Sequence, residues 1–118
     1  RPNLGPGLSA GRMDLTGCLF PQPRLENGLL LDEKIGLNSA ILIHKDLLYQ
    51  LSEDLRNRIT HSNLVVITEF TTDLADWFDK EKVGAVLIRP DRYILGTATS
   101  SDDVQSLVES AFYQLGVV

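Results

Sequence analysis

The chain has 118 residues, 43% of them hydrophobic and 23% charged, enough for one domain with one core and too little for two. A formal net charge of -5, with Lys and Arg scattered among acids, leaves no clustered basic surface for a phosphate backbone and so excludes nucleic acid as a partner. No apolar run approaches the roughly 20 residues that cross a bilayer, and the one cysteine forbids an internal disulfide and suits a reducing cytoplasm.

Residues 1–28 hold four of the five prolines and show no hydrophobic periodicity. They read as an extended lead-in that packs on the domain or links it to another, with residues 29–118 forming the domain itself. The opening "RPNLGPGLSAGR" has neither an initiator methionine nor an apolar signal region, and reads as a piece of a longer polypeptide. Within the lead-in, Leu19, Phe20, Pro21 and Pro23 are suited to pin an extended segment against the core. "GLLLDEKIG" follows as a short strand or turn.

From Ser39 onward the pattern sharpens. "SAILIHK" has the length and branching of a strand. "DLLYQLSEDLRNRITH" places Leu47, Leu48, Leu51, Leu55 and Ile59 on one helical face. "NLVVITEF" is a β-branched, nearly continuous apolar run, the signature of a central strand. "TTDLADWFDKEK" reads as a short helix capped by Thr72 or Asp73, with Leu74, Trp77 and Phe78 on one side. "GAVLIR" and "YILGTA" are two strands joined by a tight tip, hence antiparallel neighbours. "SSDDVQSLVESAFYQLG" begins with a serine cap and two acids at the positive end of the helix dipole. Its stripe of Val104, Leu107, Val108, Ala111, Phe112 and Leu115 keeps the 3.6-residue period, and Gly116 is placed to end it. The order β-α-β-α-β-β-α is that of a thioredoxin-like α/β domain, a mixed central sheet with helices on both faces.

Redox thioredoxins carry C-x-x-C where the first core strand meets its helix, so that the helix dipole stabilises the attacking thiolate. This chain has "ILIHKDLLYQ" there and no C-x-x-C anywhere. The residues before the hairpin, "DKEKVGAV", also lack the proline that redox members hold in cis. Cys18 sits in the lead-in beside Leu19 and Phe20 and reads as a passive thiol rather than a peroxidase nucleophile. His44 and His61 lie 17 positions apart with no ligand group around them, and read as helix-end histidines. No dinucleotide, triphosphate or nucleophile-elbow motif occurs. The acids of the two later helices read as solvated, helix-terminal residues. The candidate contact site is therefore the hairpin tip: Arg89, Pro90, Asp91, Arg92 and Tyr93. Pro90 and Asp91 suit the second and third positions of a plain turn, and the charges around them suit docking to another domain.

"VGAVLIRPDRYILGTA" resembles the C-terminal region of the flavin-dependent aromatic hydroxylases, the single-component FAD monooxygenases that include phenol hydroxylase and 3-(3-hydroxyphenyl)propionate hydroxylase. Arg89, Pro90, Asp91 and Tyr93 fit that family's R-P-D-x-Y/H between two strands. Upstream, Gly17, Pro21 with Pro23, Asn27-Gly28 and "LLLDEKIG" fit its G-x…P-x-P, turn and L-x-D-x-x-G stretches. The second strand departs from it: "YILGT" stands where the family often has "YVAWR". The resemblance implies a thioredoxin-like C-terminal accessory domain without redox cysteines, structural or dimerising in role, for which the tip or the lead-in is the expected contact surface. It implies an upstream catalytic domain on the same chain that binds FAD, takes hydride from NAD(P)H and hydroxylates a phenolic ring. The fragment itself would then bind no cofactor and catalyse nothing. The alternative is a stand-alone, redox-inactive thioredoxin-like binding module.

Overall fold

The computed structural model describes residues 14–21, 36 and 38–115. Strands β1 (Ala40–Ile43), β2 (Val65–Ile67), β3 (Ala85–Ile88) and β4 (Ile94–Ala98) alternate with helices α1 (Lys45–Gln50), α2 (Glu53–Thr60), α3 (Thr72–Glu81) and α4 (Ser101–Leu115). The four strands form one mixed sheet in the order β2-β1-β3-β4. β1 runs parallel to β2, with Ile41 opposite Val66. It runs antiparallel to β3, with Ile41 opposite Leu87, and β3 and β4 form the expected hairpin.

Each sheet face carries its own apolar cluster, which is why the strand sequences are nearly continuous runs. On one face Ile41, Ile43, Leu87 and Leu95 meet Leu47, Leu55 and Ile59 of α1 and α2 and Val104, Leu107, Val108 and Ala111 of α4. On the other, Leu42, Val86, Ile88 and Ile94 meet Leu74 and Phe78 of α3 together with Leu15 and Phe20 of the lead-in. β1 is wholly inaccessible to solvent along its length. Burying each of its three large side chains stabilises the fold by about 1.5–3 kcal/mol. This is the thioredoxin-like arrangement of a mixed sheet with helices on both faces.

Three local readings differ from the sequence expectation. The single helix expected over "DLLYQLSEDLRNRITH" is two, so the order is β-α-α-β-α-β-β-α. Leu51 and Ser52 are both extended (ψ 153° each), and the Ser52 hydroxyl accepts from the Leu55 N–H. A serine with Glu53 and Asp54 behind it is a helix start, and it outweighs the continuous leucine stripe. Leu47, Leu51, Leu55 and Ile59 all remain buried, so the break redirects the chain without interrupting the apolar face. β2 is an edge strand rather than a central one. Its apolar run reflects burial above and below, with Val66 toward one cluster and Val65 and Ile67 toward the other, not neighbours on both sides. The cap of α3 is Thr71, whose hydroxyl accepts from the Leu74 N–H at 3.4 Å, one residue before the expected Thr72 or Asp73.

The cap of α4 is as read. Ser100 accepts from the Asp103 N–H at 3.2 Å, and the Asp103 carboxylate accepts from the Thr99 hydroxyl at 3.1 Å. β4 contains a bulge: Leu87 faces Gly96 but Ile88 faces Ile94, so Leu95 is an extra residue on that strand. The bulge lets Ile94 and Leu95 serve opposite clusters while Thr97 remains fully buried opposite Val86. "GLLLDEKIG", apart from Gly36, and Gly116 lie outside the described residues.

Candidate functional site

The expected tip residues come together at one end of the β3–β4 hairpin. The Arg92 N–H donates to the Arg89 carbonyl at 2.9 Å, and the Arg89 N–H to the Tyr93 carbonyl at 2.9 Å. Pro90 and Asp91 therefore occupy the middle of a closed turn, and Arg92 follows in the left-handed conformation with φ 72°. A turn followed by one left-handed residue is a three-residue hairpin connection, and glycine is its usual occupant. An arginine stands there instead, and its guanidinium is engaged locally. It donates to the Pro90 carbonyl at 2.7 Å, to the Asn38 carbonyl at 3.5 Å and to the Gly36 carbonyl. Arg92 thus staples the hairpin tip to the segment entering β1.

The other charges of the tip are also used internally. Arg89 and Asp91 form an ion pair at 2.6 Å, and the second Asp91 oxygen accepts from the Tyr93 N–H at 3.4 Å. Beside this ion pair the tip also presents an apolar element. Tyr93 is 36% exposed and pairs antiparallel with Leu19, which is 62% exposed. Around that pair the lead-in runs beside the tip and the first residue of β4. Gly17 donates to the Ile94 carbonyl, Ile94 to the Cys18 carbonyl and Phe20 to the Arg92 carbonyl, each at 2.8 Å. Phe20 turns inward, buried and edge-on to Trp77 at 4.9 Å, as expected of a pinning residue. Leu19 turns outward, against that expectation. The tip and the lead-in are consequently one surface. Sequence reading offers the tip and the lead-in as alternatives and does not single out Leu19, because the alternation Leu19-out, Phe20-in emerges only once a partner strand exists.

The junction where redox members hold their cysteines is β1–α1. Here His44 occupies the helix cap, and its N–H donates to the Gly84 carbonyl at 3.0 Å. Its ring packs against Phe70 at 4.9 Å and Phe78 at 5.2 Å. A cavity of about 320 Å³ opens beside it, lined by His44, Lys45, Asp46, Thr68, Phe70 and Ala75. Lys45 reaches Glu69 at 3.2 Å, and the hydrogen bond to that carboxylate, followed by its charge, holds the ammonium pKa above the ordinary lysine value. No thiol is present here: Cys18 lies half-buried on the lead-in, its Sγ 3.5 Å from the Asp14 carbonyl. His61 caps the end of α2, with Nδ1 2.8 Å from the Asn57 carbonyl. Among the described residues no group of His, Cys, Asp and Glu has the geometry of a metal site, and no helix is long and apolar enough to cross a membrane.

These features define a thioredoxin-like α/β domain whose redox position holds histidine instead of cysteine and whose projecting hairpin is tied to its own lead-in. The chain belongs to the HcaD C-terminal domain family, whose match runs over residues 49–112, more than half of the 118. The match spans the segment from the end of α1 through β2, α3 and the hairpin into α4, including all five tip residues. It leaves β1 and the lead-in motifs outside. Membership fits a C-terminal accessory domain in an oxidoreductase, hydroxylase-like context. No curated protein matches the chain.

Proposed function

We propose that this chain is the C-terminal accessory domain of a cytoplasmic FAD- and NAD(P)H-dependent aromatic-ring monooxygenase. It packs on the catalytic body of its own polypeptide, binds neither cofactor itself and supplies no catalytic residue. The observation that carries the reading is the family match over residues 49–112, which includes the R-P-D-x-Y tip. The docking surface we assign to it is the Leu19–Tyr93 pair rimmed by Arg89, Pro90 and Asp91. Two large apolar side chains lie side by side and exposed there, while Arg89 and Asp91 neutralise each other. An apolar centre with a satisfied polar rim is the usual anatomy of an interface. A homodimer of the parent enzyme would use the same kind of contact.

The test is the open reading frame that encodes the chain. The expected result is roughly 350 to 450 residues upstream of Arg1, opening with a strand–GxGxxG–helix unit. A start codon close to Arg1 overturns the reading and leaves a stand-alone redox-inactive module. In the full polypeptide, Leu19→Ser combined with Tyr93→Ser should expose the linker to limited proteolysis. Unchanged protection would remove this surface from the interface.

A further inference from the structure

We draw no further inference here: the strongest candidate, the groove along the β2 edge lined by Leu48, Arg56, Ile59, Thr60, Leu64 and Val66, carries none because nothing among the described residues shows what covers it.

Discussion

Replacing Phe20 by alanine tests whether the lead-in is part of the folded domain. Phe20 is 4% exposed, its ring stands edge-on to Trp77 at 4.9 Å, and its N–H is held by the Arg92 carbonyl at 2.8 Å. Truncating a buried phenylalanine costs about 3–5 kcal/mol, of which the aromatic pair accounts for about 0.5–1.5. The segment has an alternative to tolerating the cavity, which is to release. Leu15 and three backbone hydrogen bonds would then oppose an ordering cost of about 1–2 kcal/mol per residue. Release stops the loss near the lower end, at about 3 kcal/mol. Trp77 is the one tryptophan in the chain and loses its Phe20 cover in the variant, so its native-state emission should move to longer wavelength. Urea unfolding followed by far-UV dichroism and by Trp77 emission gives both quantities in one titration. A loss below about 1 kcal/mol with unchanged native emission would refute the packing described for residues 15–20.

Other perturbations address single contacts. A Cβ on Gly84 would stand 2.9 Å from Leu47 Cδ2, so Gly84→Ala should cost about 1 kcal/mol. Pairing it with Leu47→Ala should give a coupling energy of about 0.5 kcal/mol or more in a double-mutant cycle; strict additivity would contradict the close approach. Ser52→Ala and Thr71→Ala each remove a helix cap and should lower stability by about 1 kcal/mol, additively because they serve different helices, as urea midpoints will report. The Lys45–Glu69 pair raises the lysine pKa above 10.5 in the folded protein. Its contribution is therefore complete below that value and is lost as pH rises through the higher folded pKa. Both groups are solvent-exposed, so the contribution is small: Lys45→Met should lower neutral-pH stability only slightly and remove an equally slight loss from the alkaline limb of a stability–pH curve.

Much of the domain was legible from residue order because burial period and turn chemistry are local. The stripe of α4, the serine before Asp102 and Asp103, and Pro90-Asp91 between two apolar runs each state their structure within a few residues. The sequence read less well where the deciding partner is distant or lateral. A three-residue strand buried above and below carries the same letters at an edge as at the centre, so β2 was misplaced. The helix break at Ser52 had a visible signal, serine followed by two acids, but the leucine stripe continues through it because the packing surface continues. The bulge at Leu95 and the left-handed Arg92 have no sequence signature, since a bulge is a matter of register and arginine is not a usual left-handed residue. The five tip residues were gathered by the hairpin as read. Leu19, 74 positions before Tyr93, could join them only through the docked lead-in.

The two sheet edges are protected in different ways. Growth of a sheet from molecule to molecule into an open polymer requires that each unit offer two vacant sides, one to join and one to pass on. Here the lead-in covers the hairpin end of one side, where it bonds Arg92 and Ile94, and its covalent tie gives it a high local concentration there. At the other side β2 is three residues long, and an edge that short is itself a poor template for a further strand.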